Sequence, residues 1–477
     1  MHALTAWLEK FLLPIAGKIG NQKHLVALRD AFIGTMPVTM AGSMAVLLNA
    51  IIRDLPTQFI DGYDANTIPV FKEIIGINGY VWNGTLAIAG LMFAFSLGYN
   101  IARAYGVNDL AGGLVSVGAL IQGIAFSAPA TVNLEPGQLG EKATELLTNA
   151  GSVISQTEVL DTATGNMKLV EQVTNNAWGW LKLDHLNGNA FFTAMILGFV
   201  AVIIFAKLMN RNITIKMPEQ VPPAVSKAFA AIIPALVALY AVGMFNYFFT
   251  RFTDVLFIDW VQKTIADPLL ELSQGFGAVM IITVFIQLFW FFGIHGMNVL
   301  APALEGIWGV AQIKNVNLFN EGGVEMVKEH GYLWVRGSFD AFSMFGGSGG
   351  TIVLIIAILI FSKRADYKTI GKLSLGPGIF NINEPVMFGL PIVLNPIMFV
   401  PFLLAPIVTT AIGYFATING WVDPVSQQVV WVTPPLLLSF LATGADWRAP
   451  VVSLICMIVA FIIYAPFVIA ANKMEEQ

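Results

Sequence analysis

Glu384 is the one formally charged residue between Lys372 and Asp423, inside an otherwise apolar stretch. An ionised carboxylate at bilayer depth is costly unless a partner or water compensates it, so we expect Glu384 to face a cavity, a substrate or a proton path. Pro385 and the nearby glycines predict a backbone break at this point, and irregular backbone at membrane depth is typical of a transporter's binding site. A structural glutamate held by backbone amides is the alternative.

His295 is a second isolated polar residue, since it is the only ionisable side chain between Glu271 and Glu305. A lone histidine on an apolar face is often a satisfied core residue. The second isolated site at Glu384 favours a functional role instead, and proton transfer or hydroxyl binding is the chemistry that such a pair supports.

Aromatic and amide residues near these two positions fit a sugar. The apolar face of a pyranose ring stacks on an indole, while amide groups satisfy its hydroxyls. The candidate substrate-binding residues are therefore Trp290, Asn298, Asn383 and Trp431, together with His295 and Glu384. Core packing or a place in an interfacial belt is the alternative for each tryptophan.

Two other patterns are more ambiguous. The glycine-rich run at 346–349 lacks the lysine of a phosphate-binding loop, so close helix packing explains it better. Arg336 and Asp340 are four residues apart and predict an ion pair on a helix face, which we interpret as structural. The single cysteine, Cys456, excludes disulfides within the chain and cysteine clusters for a metal, and we expect no metal and no cofactor.

The composition identifies the solvent of this chain as lipid. Of the 477 residues 56% are hydrophobic and only 12% are charged, whereas about 25% are charged in soluble domains. The net charge of −5 is uninformative about nucleic acid, and since the sequence has no basic patch with interleaved aromatic residues, we expect no nucleic-acid partner.

Hydropathy predicts an all-α polytopic membrane protein with about ten transmembrane helices and an amphipathic N-terminal helix within residues 1–29. The predicted spans lie near 31–52, 80–100, 110–130, 188–208, 228–250, 273–294, 341–362, 392–418 and 449–472. Shorter pieces interrupted by Gly and Pro, at 297–318, 372–391 and 431–444, indicate re-entrant hairpins and broken helices. The substrate region is therefore predicted in the second half.

The distribution of basic residues predicts the orientation. Lys and Arg cluster at 1–29, at Arg103, at 207–227 and at 363–372, which places these links and both termini in the cytoplasm. The links 53–79, 131–187 and 251–270 then face outside. The long 131–187 link is rich in Thr, Asn, Gly and acidic residues and is predicted to be a solvated excursion with little core. A small ordered cap is the alternative, and a separate domain is not expected.

Four strings in this order resemble a known family. They are VPP at 221–223, FGIHG at 292–296, GGSG at 346–349 and NINEPVMFG at 381–389. Together they are similar to the membrane-spanning enzyme IIC permease of the bacterial phosphoenolpyruvate-dependent sugar phosphotransferase system, in its lactose, cellobiose and diacetylchitobiose branch. The resemblance covers nearly the whole chain.

The resemblance implies a homodimer in the cell membrane, with residues 1–250 as a scaffold and dimerisation domain of five spans. Residues 251–477 would form the transport domain, with two re-entrant hairpins that hold a β-linked disaccharide and carry it inward by an elevator-like movement. A separate cytosolic enzyme IIB, charged by enzyme IIA, would donate the phosphoryl group from a phosphocysteine, so the chain would take part in phosphotransferase chemistry only together with IIB.

In that setting Glu384 and His295 would bind the sugar 6-hydroxyl that becomes phosphorylated, and Asn383 and Trp290 would line the site. We interpret Glu384 as the proton acceptor, or general base, and His295 as the group that orients the hydroxyl. The alternative is a proton-coupled secondary sugar symporter in which Glu384 is alternately protonated on the two sides.

Overall fold

The computed structural model describes residues 22–54, 56–58, 60, 62–160, 167–390, 392 and 396–472. Within them the regular secondary structure is helical apart from one small sheet, which confirms the predicted class of helical membrane protein. Residues 1–21, which hold most of the predicted amphipathic segment, lie outside the described residues. Residues 23–29 do not form a separate surface helix, because they begin the helix that continues into the first span.

The first half contains seven α-helices and three strands among its described residues. They are α1 (Lys23–Asn49), α2 (Pro69–Asn83), α3 (Ala89–Ala104), α4 (Asp109–Ile121), β1 (Ser127–Leu134), α5 (Glu141–Asn149), β2 (Val153–Leu160), β3 (Met167–Trp178), α6 (Phe191–Asn210) and α7 (Pro223–Thr253). A π-helical turn, Ala50–Asp54, extends α1.

Local signals set several of these boundaries. Asn108 caps α4, where its side chain accepts a hydrogen bond from the backbone N–H of Ala111 at 3.2 Å. Pro223 begins α7 at a position where its missing N–H costs nothing. Between α3 and α4 the packing is close, since a Cβ on Gly98 would overlap the backbone of Gly112.

The link at 131–187 takes part in a small ordered sheet, the alternative to a purely solvated excursion. Strands β1, β3 and β2 form an antiparallel sheet in that order, with Thr131 opposite Thr174 and Val153 also opposite Thr174. Among the described side chains of the sheet, the buried apolar ones are Val170 and Val173. The backbone pairing of three strands supplies the order that a hydrophobic core does not.

The second half is built from shorter and more interrupted helices. They are α8 (Phe257–Val261), α9 (Asp267–Ser273), α10 (Phe276–Phe291), α11 (Gly296–Ala303), α12 (Val310–His330), α13 (Arg336–Phe342), α14 (Thr351–Phe361), α15 (Ala365–Ile379), α16 (Glu384–Gly389), α17 (Pro396–Ile418), α18 (Pro435–Ala442) and α19 (Arg448–Asn472). A π-helical turn, Leu304–Gly309, joins α11 to α12. The three interrupted pieces predicted from the sequence coincide with α11–α12, α15–α16 and α18.

Six helical stretches among the described residues have the length and hydropathy to cross a membrane. They are Lys23–Arg53, Pro69–Ala104, Gly188–Asn210, Pro223–Thr253, Ile397–Ile418 and Arg448–Asn472. The pair Phe257–Ser273 and Phe276–Phe291, bent by 74°, would be a seventh, and α4 and α14 are apolar but shorter. The total of about ten spans and the two re-entrant hairpins stay predictions.

In the first half, aromatic side chains of α3 and α6 pack against α1. The Phe32 ring lies 4.5 Å from that of Phe93 on α3 and stacks at 5.8 Å on that of Phe191 on α6. Phe32 and Phe191 also border a cavity among the described residues. The same cluster therefore supports the first half and forms one wall of the cavity.

Candidate functional site

All six candidate site residues border one cavity of about 350 Å³, a volume within the usual range of roughly 300 to 1,000 Å³ for small-molecule sites. They are Trp290, His295, Asn298, Asn383, Glu384 and Trp431. The structure brings them together from α10, α11, the α15–α16 turn and the segment before α18. Residues up to 141 positions apart in the sequence, Trp290 and Trp431, thus meet at one place.

His295 is the N-cap of α11, and its Nδ1 accepts a hydrogen bond from the backbone N–H of Asn298 at 3.2 Å. An imidazole whose Nδ1 is an acceptor and which is neutral carries its proton on Nε2. The cap therefore leaves the Nε2–H as a hydrogen-bond donor. A hydroxyl oxygen is a fitting acceptor for it.

The Trp290 indole lies beside this imidazole, with 4.4 Å between ring centroids and an interplanar angle of 46°. Its side chain is buried, and the indole Nε1–H has no partner among the described residues. A buried N–H without a partner at the edge of a cavity is a donor that a ligand can satisfy.

Glu384 is the first residue of α16, and Asn383 is its N-cap. The backbone break predicted at Glu384 is observed just before it, at 380–383, while Glu384 itself is helical because a proline is tolerated in the first turn. Its side chain is exposed, and no cation of the described residues lies within ion-pairing distance. Glu384 is therefore available as an acceptor toward the cavity.

Asn381 ties three distant segments together, a role that the sequence did not indicate. Its Oδ1 accepts from the N–H of Gly346 at 2.8 Å, and its Nδ2 donates to the carbonyls of Trp431 at 2.6 Å and Thr433 at 2.8 Å. Asn383 adds a parallel contact, from its Nδ2 to the carbonyl of Ser348 at 3.1 Å.

The glycine-rich turn at 346–350 is thus part of the cavity wall. Gly347 and Ser348 border the cavity, and four glycines of the turn, Gly346, Gly347, Gly349 and Gly350, have positive φ angles. The interpretation as a site of close packing is correct but incomplete, because the tight backbone packs against the α15–α16 turn that carries Glu384.

The predicted ion pair between Arg336 and Asp340 is present, at 2.8 Å. Glu305 joins it at 3.0 Å from the Arg336 Nε, and all three residues border the cavity. The first half also contributes to the wall through α1, at Phe32, Ile33, Thr35, Met36 and Thr39. The cavity therefore lies between the two halves of the chain.

The model of the phosphotransferase system EIIC family matches residues 29–406 of this chain. The chain belongs to this family. It is an EIIC permease of the bacterial membrane, a component that works with a sugar and a IIB component.

Two curated relatives align with this EIIC over nearly its whole length. The cellobiose-specific EIIC component of Lactococcus lactis is 48% identical, over 100% of this chain and 99% of the relative. The oligo-beta-mannoside-specific EIIC component of Bacillus subtilis is 32% identical, over 98% of this chain and 94% of the relative.

A crystal structure of ChbC, the IIC component of the N,N'-diacetylchitobiose-specific phosphotransferase system, has a similar fold. It superposes with a TM-score of 0.83 at 28% identity and covers 98% of both chains. The predicted family and fold class are confirmed.

Proposed function

We propose that this EIIC transports a β-linked disaccharide, with cellobiose as the first candidate, and presents its 6-hydroxyl to a cytosolic enzyme IIB for phosphorylation. The observation that carries the proposal is the pairing of a donor and an acceptor in one cavity: the His295 Nε2–H and the Glu384 carboxylate. A hydroxyl needs both, since its oxygen accepts one hydrogen bond and its proton donates another. The similarity to a cellobiose-specific relative supports the choice of sugar.

Each residue has a defined part in the transfer. His295 holds the 6-hydroxyl oxygen, and Glu384 takes its proton as the oxygen forms a bond to phosphorus and the bond from phosphorus to the IIB cysteine sulfur breaks. Positioning and proton removal are most of what a protein supplies to phosphoryl transfer. Trp290 and Trp431 would stack on the sugar rings, while Asn298 and Asn383 would bind hydroxyls.

The position of the cavity between the two halves supports a proposal for how the sugar moves. We propose that residues 1–250 form the scaffold of a homodimer and that residues 251–477 move against it in an elevator-like step. Helix α7 supports the scaffold role, because only 22% of its most apolar window is buried within one chain. Lipid and a second copy of the chain would cover the rest. Enzyme IIA would transfer the phosphoryl group to IIB in the preceding step.

The test is Glu384→Gln, which keeps the size and a carbonyl acceptor but removes the proton-accepting carboxylate. We expect cellobiose binding to weaken by less than about tenfold, while the rate of phosphorylation by phospho-IIB falls by about a hundredfold or more. Glu325→Gln is the matched control, since Glu325 is a surface residue paired with Lys328 at 2.9 Å. An unchanged phosphorylation rate in Glu384→Gln would refute the role of Glu384.

Uptake into membrane vesicles separates this proposal from proton-coupled symport, which the family membership does not favour. Phosphotransferase transport requires the phosphoryl donor and delivers phosphorylated sugar. Symport would deliver unmodified sugar and would stop when the proton gradient is dissipated.

A further inference from the structure

A charged triad of Glu305, Arg336 and Asp340 borders the same cavity. The Arg336 Nε lies 3.0 Å from Glu305 Oε1, and its Nη1 lies 2.8 Å from Asp340 Oδ2. Glu305 follows Gly296 by nine residues along α11 and its π-helical extension, which corresponds to about 13 Å along a helix axis. The triad therefore lies well beyond the end of α11 that His295 caps.

One continuous helix face joins the two ends. Met297, Ala301, Glu305 and Gly309 all border the cavity, and they recur at every fourth residue, which is the spacing of one helix face. The cavity thus extends along this helix from the His295 cap to the triad. Two linked pyranose rings span a comparable distance, and one ring does not.

The triad does not use all of its polar atoms. Among the described residues Arg336 Nη2, Glu305 Oε2 and Asp340 Oδ1 have no hydrogen-bond partner. These three atoms are not among the fully buried ones, and the side chains of Arg336 and Asp340 are each 17% exposed. One donor nitrogen and two acceptor oxygens are therefore accessible at a cavity wall.

Neutral groups also anchor α13, the helix that begins at Arg336. The buried Gln312 accepts from the N–H of Gly337 at 2.7 Å and donates to the carbonyl of Gln427 at 3.0 Å. Ser338 accepts from the N–H of Val335 at 3.1 Å. A partly buried ion triad often adds little net stability, because removing its charges from water is costly. Since neutral groups also hold this helix, stability by itself does not explain why the triad is present.

Other polar atoms along the cavity independently indicate a ligand rich in hydroxyls. The Trp290 side chain is 2% exposed, and its Nε1–H is buried without a partner among the described residues. The hydroxyl of Ser348 has no hydrogen bond among the described residues and is not fully buried. Both line the cavity. Buried polar groups are normally satisfied, so the Trp290 N–H indicates a ligand that accepts a hydrogen bond, and the accessible Ser348 hydroxyl offers such a ligand a further contact.

We propose that the triad is the binding subsite for the sugar ring that is not phosphorylated. This inference rests on the proposed function of the cavity. Glu305 Oε2 and Asp340 Oδ1 accept protons from hydroxyls of that ring, and Arg336 Nη2 donates to a hydroxyl oxygen. With two carboxylates and one guanidinium, the triad has a net charge of −1, so it selects a neutral ring and disfavours one that bears a carboxylate.

The test compares cellobiose with cellobioses that each lack one hydroxyl of the ring that is not phosphorylated, measured by titration calorimetry on the purified full-length protein. In the unaltered protein at least one such analogue should bind about tenfold or more weakly than cellobiose, as expected for a lost hydrogen bond to a charged group. In Asp340→Asn or Glu305→Gln that difference should shrink to about twofold, whereas Glu325→Gln should retain it.

Two results would overturn the inference. A structural role for the triad would weaken cellobiose and every analogue by the same factor, and a triad outside the sugar site would leave all affinities unchanged. Glu384→Gln, tested against analogues that lack the 6-hydroxyl, separates the two proposals. If Glu384→Gln loses the preference for cellobiose over the analogues without the 6-hydroxyl, while the triad variants keep all their preferences, only the proposed subsite at the triad is refuted. If no variant alters any preference, the cavity is not the sugar site.

Discussion

Asn381 joins three segments of the cavity wall. It is buried and has a φ of +61°, a left-handed conformation that asparagine tolerates better than most side chains. Its amide satisfies one backbone N–H and two backbone carbonyls from segments 35 to 52 residues away. Asn381 therefore positions Trp431 and the glycine-rich turn without itself being a reacting group.

We expect Asn381→Ala to lower the free energy of unfolding by about 3 kcal/mol, since three hydrogen bonds contribute roughly 1 kcal/mol each, and to weaken cellobiose binding by about tenfold. Asn381→Gly loses the same amide but accepts the left-handed conformation, so it should be about 1 kcal/mol more stable than the alanine variant. Thermal unfolding in detergent and cellobiose titration measure both effects. Equal stability of the two variants would show that the backbone conformation contributes nothing.

The sequence predicts those cavity residues that are isolated polar side chains in apolar stretches. Glu384 and His295 stand alone in apolar stretches, and membrane energetics alone makes such residues candidates. Asn381, Ser348 and Glu305 were missed, because they act through contacts that only the folded chain creates. Asn381 lies inside the NINEPVMFG string that drew attention to Glu384, but nothing in its neighbourhood predicts a contact with Trp431 fifty residues later.

At the scale of elements, the turn between α13 and α14 is fitted to the turn between α15 and α16. A Cβ on Gly347 would lie 2.8 Å from the Asn383 Cβ and 2.9 Å from the carbonyl oxygen of Asn381. Gly350, in the same turn, has no atom closer than 3.7 Å to such a Cβ. The two glycines thus share positive φ angles but differ in the space around them.

This difference gives a matched pair of variants. Gly350→Ala carries only the left-handed strain, so we expect a loss of about 1 kcal/mol in stability and little change in sugar affinity. Gly347→Ala must in addition displace Asn383, so cellobiose affinity should fall by about tenfold or more. Titration calorimetry and thermal unfolding of both proteins measure this. Equal affinities in the two variants would contradict the close fit.

The helices were easier to predict than the sheet. Runs of about twenty apolar residues make α1, α6, α7, α17 and α19 visible in the sequence. Strands β2 and β3 occur in the polar link, where composition suggested a solvated excursion or a small ordered cap. Strand β1 begins at Ser127, inside the span predicted near 110–130, because α4 already ends at Ile121. β-branched residues in 153–160 were a usable signal, but strand pairing depends on partners far along the chain, such as Val153 opposite Thr174.

At the scale of the whole molecule, the direction of transport requires one orientation in the membrane. The sheet, together with α5 between its strands β1 and β2, must face outside. The basic link between α14 and α15 must face the cytosol, where IIB is present. The distribution of Lys and Arg predicts this orientation. Cys456 is fully buried, so it adds no background to labelling with a thiol reagent that does not cross membranes.

Lys142→Cys on α5 and Lys368→Cys on α15 place one exposed thiol on each side. In intact cells an impermeant maleimide should label the Cys at 142 and not the Cys at 368, and permeabilised cells should label both. The opposite pattern would put the 363–372 link outside, where no phospho-IIB could reach a sugar released on that side. Because phosphorylation by IIB requires a cytosolic exit, that outcome would refute the proposed direction of transport and would leave the contacts within the cavity unaffected.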